Sequence, residues 1–440
     1  MQARKQRNSQ YFLHLTIDRL IPHDSVRVTV THPVYSSDLA IFPVSDHTHI
    51  SLNMQHLRIA CQLPHNPVHC LMNTWKAVIH MTDTQQVFRT SHTMAGQIAE
   101  FLGMHRPLLV AGHFRNLLPS AVVFSGFHPN PDFADCSAGL DLYQNRQCDG
   151  IIAIGGGSCI DTAKGILYLL LQKEQHVPPF LAVPTTAGSG SEATDSAVVY
   201  VDGKKQSLQD RSLKPCAVIL DPSVLTSLPR HQLTSCAMDA LCQAVESHWS
   251  RKSTAESKVL AEKAILRLLP GIHMLANDTE GLQTEQAETL LEGSYLAGQA
   301  ICMTRTTACH AMSYMITKTF GTPHGQAVAL TIPYTIQHML SSASMQDELA
   351  RLSALLGLDR SENLPAFFLG MLSRLSLLVN LKPDTETLDF LTDSINPERL
   401  SNHPVSLEAE TIRELYTISL RLPDPDMLQA AENIFDSARF

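Results

Sequence analysis

The sequence predicts an α/β domain followed by an all-helical one, and three observations carry that reading. From about residue 74 to 228, short apolar runs alternate with helical patterns, as in a parallel sheet covered on both faces. Two of those runs end in loops made almost wholly of glycines and hydroxyl residues. After DPSVLTSLP (221–229) the β-branched runs stop, and apolar residues recur at helical spacing to the end of the chain,.

The elements follow in order. GQIAEFLGM (96–104) ends a helix and RPLLVAG (106–112) is a short buried strand. AVVFSG (121–126) is a second strand, and DGIIAIGGGS (149–158) a third that runs into glycines. IDTAKGILYLLLQ (160–172) is helical. PFLAVPTT (179–186), SAVVYVDG (196–203) and CAVILDP (216–222) are further strands,. KVLAEKAILRLLPGIHML and ETLLEGSYLAGQAI typify the helical part, 229–440. Residues 1–73 differ in composition, being rich in His, Ser and Pro with β-like runs such as VRVTVTH. They read as an extension of unknown role, poorly ordered.

Composition excludes several classes. With 440 residues the chain suits two domains,. Hydrophobic residues at 44% and charged residues at 17% describe a globular chain,. A formal charge of −9 gives no reason to expect nucleic acid or an anionic membrane as partner,. The 10 cysteines form no CxxC pair and read as buried thiols in a reducing, cytoplasmic compartment,. Arg4, Lys5 and Arg7 precede an apolar stretch, as in a mitochondrial transit peptide, but Asp18, Asp24 and Pro22 interrupt it,. No run reaches the roughly 18–20 apolar residues of a membrane span.

A strand entering GGGSCID has a physical meaning. Gly155, Gly156 and Gly157 permit positive φ and close approach of a phosphate, and Ser158 can cap a helix whose free N–H groups bind an anion. A tight strand-to-helix turn is the plainer alternative. PTTAGSGSEAT (184–194) follows another strand, and loops at the carboxyl ends of parallel strands line one ligand crevice. In the helical part, Asp239 and Gln243 share a helix face at i, i+4,. His310 and His324 are separated by the helix breakers Gly321 and Pro323,. Two imidazoles, a carboxylate and an amide oxygen suit Fe²⁺, and also Zn²⁺, with a position left for substrate. With 21 histidines in the chain, chance pairing and ordinary surface roles compete with that reading.

The motifs together resemble the iron-containing alcohol dehydrogenases, from about residue 74 to the end. GGGSCIDTAK is similar to that family's GGGSxxDxAK, and PTTAGSGSE to PTTAGTGSE. DGKKQSL and LKPCAVILDP resemble GxKxxI and xPxxxIxDP. MDALCQAVES resembles MDALxHAxE, and HAMSYMITKTFGTPHGQAVA resembles HAMAHxLGxxFxxPHGxANA. The resemblance implies a Rossmann-like nucleotide domain and a helical metal domain, in the dehydroquinate synthase-like architecture, with the active site between them. It implies metal ligands at Asp239, Gln243, His310 and His324. It places NAD or NADP at Gly156, Gly157, Ser158, Asp161, Thr185, Thr186, Ser189 and Lys205. The reaction implied is reversible reduction of a small aldehyde to a primary alcohol. A homodimer is implied by analogy.

The chain departs from the pattern in three places. Gln243 stands where the family has His, a weaker and neutral ligand. Tyr314 replaces a second family His and is a candidate proton donor,. The acid that holds the adenosine ribose is missing, with Gly112 near its place and Arg115 close by, which leaves NADP open beside NAD,. Within the family, SGSEATDSAVVYVDGKKQSL, MDALCQAVESHWS and RTTACHAMSYMITKTFG are most similar to the phosphonoacetaldehyde reductases. An anionic phosphonate aldehyde would need a cationic clamp, for which Arg305 and Lys318 are candidates,. The competing expectations are a dehydroquinate synthase-like lyase and a catalytically degenerate member of the family.

Overall fold

The computed structural model describes residues 15–18, 27–30, 85–173, 177–201, 203–277 and 282–438. It divides the chain into two units, 1–84 and 85–440. In the first, β1 (Leu15–Asp18) pairs antiparallel with β2 (Arg27–Val30), and most of the extension expected over 1–73 lies outside the described residues.

The second unit begins with a sheet whose strands are β3 (Gln86–Phe88), β4 (Leu108–Ala111), β5 (Val122–Phe124), β6 (Ile151–Gly155), β7 (Phe180–Pro184) and β10 (Ala217–Ile219). Their order is β3-β10-β7-β6-β4-β5, and every pairing is parallel. Residues 108–111 and 151–154 are completely buried. Burial on both faces explains why these strands read as unbroken apolar runs. Helices α1 (Ala95–Phe101), α2 (Phe133–Asn145) and α3 (Gly157–Lys173) accompany the sheet. Between β4 and β5 the chain turns without a helix, so that edge of the sheet is bare of the usual crossover,. The chain runs outward from β4 to β5 and then, from β6 onward, in the opposite direction. The carboxyl ends of β4 and β6 therefore flank the point where strand order reverses, the place where open α/β sheets form a ligand crevice.

One expected strand does not join this sheet. Ser196–Val201 (β8) pairs antiparallel with Lys204–Gln209 (β9) as a separate hairpin. Its alternating burial marks a ribbon with one covered face, unlike the fully buried parallel strands,.

From Arg230 the described chain is helical: α4 (Arg230–Trp249), α5 (Ala255–Asn277), α6 (Thr284–Thr304), α7 (Ala308–Phe320) and α8 (His324–Leu340). They are followed by α9 (Gln346–Leu355), α10 (Leu364–Arg374), α11 (Thr385–Asp393), α12 (Pro397–Ser401), α13 (Ala409–Ser419) and α14 (Pro425–Ser437). Helix α4 is buried on every side from Ala237 to Trp249. A helix apolar all round would suit that place, yet α4 carries Asp239, Gln243 and Glu246 there. Gly321, at φ 69°, ends α7, and Pro323 starts α8 so that His324 is its first residue. No helix among the described residues is long and apolar enough to cross a membrane.

Candidate active site

The site begins with the two glycine loops. Gly155 at the end of β6 pairs with Pro184 at the end of β7, so both loops leave the sheet side by side. A side chain on Gly156 would press on Thr186, and one on Gly157 would come within 2.8 Å of the Ser189 hydroxyl. The second contact is tighter than van der Waals packing allows, and the first would force Thr186 to give by a few tenths of an ångström,. The loops therefore touch only because these positions carry no Cβ. None of Gly155, Gly156 or Gly157 has positive φ, which corrects the expectation of left-handed backbone there. Ser158 does not cap α3 either. It lies in the first turn, and its hydroxyl accepts the Asn130 amide at 3.1 Å.

Asp161 is tied to the second loop and to the hairpin. One oxygen accepts the Ser191 hydroxyl at 2.5 Å and the other the Val198 amide at 3.0 Å. Buried Lys164 donates to the carbonyls of Ser191, Thr194 and Ser196. Asp161 and Lys164 thus fix the second loop and the hairpin to α3. Burial drives the Lys164 pKa down to about 8, against the opposing pull of Asp161 and Glu192,.

The structure brings Asp239, His310 and His324 together, with potential ligand atoms all within 4.8 Å of one another. Asp239 Oδ1 lies 3.2 Å from His310 Nε2 and 3.9 Å from His324 Nε2. Gln243, one turn along α4, donates to the Ser189 carbonyl at 3.3 Å, while its buried Oε1 has no hydrogen-bond partner among the described residues. Buried acceptors are normally paired, so this orphan oxygen suits a donor atom kept for a ligand.

Glu246 completes the face at i+7 from Asp239 and was not singled out from the sequence. It is fully buried, and its Oε2 meets Nδ1 of His310. Its Oε1 accepts the Thr307 hydroxyl at 2.5 Å and the amides of Thr307 and Cys309 at 3.1 and 2.9 Å. A carboxylate on Nδ1 fixes the ring and leaves Nε2 as the ligand atom, the arrangement of metal-bound histidines. Burial works to lower the His310 pKa, but Glu246 and Asp239 outweigh it and raise it to about 9. His324 is pushed the other way by desolvation, reinforced by Lys205, His310 and Arg399 over the opposing Asp239. It therefore stays neutral, as a metal ligand must.

Tyr314 stacks on His324, ring centroids 5.5 Å apart and planes within 5°. Burial raises its pKa, so the phenol keeps its proton at neutral pH. Lys205, read from the sequence as a cofactor-site residue, lies with Nζ 2.9 Å from the centroid of the Tyr314 ring. Arg305 is engaged elsewhere. It ends α6 at φ 63°, and its guanidinium binds Asp195 at 3.1 Å and Ser196 at 3.2 Å. Lys318 is exposed in the last turn of α7.

The family model for iron-containing alcohol dehydrogenase matches residues 87–222, and that for the C-terminal part of the Fe-containing alcohol dehydrogenase family matches 234–416. The chain belongs to the iron-containing alcohol dehydrogenase family. It is 29% identical over 267 residues to the probable alcohol dehydrogenase EutG of Escherichia coli, covering 58% of this chain and 66% of that one. It is 32% identical over 240 residues to the phosphonoacetaldehyde reductase of Streptomyces viridochromogenes, covering 50% and 59%. The matches thus span about half to two-thirds of these curated relatives. Among solved structures, sulfoacetaldehyde reductase from Bifidobacterium kashiwanohense in complex with NAD⁺ superimposes with a TM-score of 0.69 at 26% identity. That superposition covers 77% of this chain and 98% of that one.

Proposed function

We propose that the protein catalyses NAD(P)H-linked reduction of a small aldehyde to a primary alcohol, and the reverse oxidation. The convergence of Asp239, His310 and His324 beside the paired glycine loops carries this reading. Asp239, His310 and His324, with the orphan oxygen of Gln243, would hold a divalent ion, Fe²⁺ or Zn²⁺,. When bound, the ion supplies Lewis acidity toward a carbonyl oxygen and the nicotinamide supplies hydride. The protein's own part is to position and to exclude water. Free backbone N–H groups at the start of α3, which opens at Gly157, suit a pyrophosphate,, with Thr185, Thr186 and Ser189 in the loop that packs against Gly156 and Gly157. Glu246 orients His310. Tyr314, protonated at neutral pH, stands beside His324 to donate the proton that an alkoxide needs,.

The similarity to phosphonoacetaldehyde and sulfoacetaldehyde reductases supports an acid-bearing aldehyde as substrate. The test is anaerobic Fe²⁺ loading followed by NADH and NADPH oxidation with phosphonoacetaldehyde beside propanal. Stoichiometric cofactor oxidation with either aldehyde supports the reductase. Absence of net oxidation in protein that has bound its metal sinks it in favour of a lyase or a degenerate relative.

A further inference from the structure

Resting on the reductase reading, we propose that Arg399 and Lys205 form an anion receptor one aromatic ring away from the metal set. It selects a short aldehyde whose far end is a tetrahedral oxyanion of the phosphonate or sulfonate type.

Three elements build the receptor. Lys205 lies on β9 with its ammonium over the Tyr314 ring, and Arg399 on α12 has its guanidinium carbon 5.3 Å from the same ring centroid. Tyr314 is stacked on His324, so the ring that both side chains face lies against a residue of the metal set.

Charge accounting points the same way. Among the described residues Arg399 makes no ion pair. Its Nη1 donates to the Thr306 hydroxyl at 3.0 Å and its Nη2 to the Ser207 hydroxyl at 3.1 Å. Two neutral acceptors orient the group while leaving its charge and three of its five N–H donors unspent. Lys205 likewise has no carboxylate within ion-pairing distance among the described residues. By contrast Arg305, the arginine that the motif suggested, is neutralised by Asp195. Burial, and then the neighbouring Arg399, hold the Lys205 pKa well below its usual value, a cost that an oxyanion bound between the two groups offsets. The planar guanidinium fits tetrahedral oxyanions better than a point charge does.

The test compares wild type, Arg399→Gln and Arg399→Lys, each loaded with Fe²⁺. Phosphonoacetaldehyde, sulfoacetaldehyde and propanal are the substrates. Calorimetry then follows methylphosphonate binding to the same proteins without metal or cofactor. In Arg399→Gln the ratio of kcat/KM for phosphonoacetaldehyde to that for propanal falls about 100-fold, chiefly through KM, and methylphosphonate binding is lost. Arg399→Lys recovers part of both. The relative rates on the phosphonate and the sulfonate show which acid the receptor serves. An unchanged ratio, or equal methylphosphonate binding in Arg399→Gln, overturns the receptor. Wild type that reduces propanal without favouring either acid also overturns it and leaves the reductase standing. If no aldehyde is turned over, the reductase reading falls, and methylphosphonate binding alone still decides the receptor.

Discussion

Glu246 offers the sharpest perturbation of the site. In Glu246→Gln the side chain keeps its shape and can keep Oε1 toward the Thr307 and Cys309 amides. The new amide nitrogen then faces Nδ1 of His310. An amide N–H there needs a lone pair on Nδ1, which moves the ring proton to Nε2, the atom required for metal. Outer-shell changes of this kind cost about 10- to 100-fold in metal affinity, or roughly 1.4–2.8 kcal/mol at 1.4 kcal/mol per decade. The metal-free protein loses stability as well, because three donors exchange a charged acceptor for a neutral one and an imidazolium loses its partner. Breaking a buried, hydrogen-bonded charge pair costs about 3–5 kcal/mol, and the retained amide acceptor brings the expected loss to about 2–4 kcal/mol. Chelator competition measures the first quantity and urea unfolding the second. Zinc or iron affinity within twofold of wild type, with the fold intact, would refute the role assigned to Glu246.

Gly157→Ala drives a methyl group against Ser189 and parts the two loops. The NADH dissociation constant should rise at least tenfold with metal content unchanged, as fluorescence titration would show. Lys164 sets a pH dependence of stability. Its pKa is about 8 in the fold and near 10.5 when unfolded,, so the unfolded chain binds more protons between those values. Stability should therefore rise as pH climbs from about 8 to 10.5, by up to about 3 kcal/mol for this group. Unfolding curves of wild type set against Lys164→Met isolate that component, and an identical slope in the two proteins contradicts it. Metal binding should also strengthen with pH. His310, raised to about 9, must give up its proton to the ion,, so affinity increases up to that pH and levels off above it. Metal titrations from pH 6 to 10 check the trend.

The parallel core was legible because its strands are buried on both faces, and Ile151–Gly155 could hardly be anything else. The break before His324 was legible because Gly321 and Pro323 act through local backbone sterics. The hairpin was misread although its signal was present. Asp202-Gly203 separates two six-residue runs, the dipeptide of a tight β-turn,, and Gly203 has φ 70°. The apolar character of SAVVYV points to the main sheet instead. The three-residue β3 carried too little pattern to be seen. Glu246 was within reach, since 239, 243 and 246 share one helix face. Arg399 was not, because only tertiary packing brings a residue so late in the chain to the Tyr314 ring. Arg305 shows the opposite case. Closeness to His310 in sequence suggested a clamp, but the end of α6 turns its side chain to Asp195.

The central claim, that Asp239, Gln243, His310 and His324 hold one metal ion beside a nicotinamide site, is tested most directly by metal stoichiometry. Wild type and His310→Ala, loaded anaerobically with Fe²⁺ and freed of excess, are assayed for bound iron, NADH affinity and aldehyde reduction. The account predicts one tightly held ion per wild-type chain. His310→Ala should hold almost none, bind NADH as before and turn over no aldehyde. Full iron content and turnover in His310→Ala would contradict it.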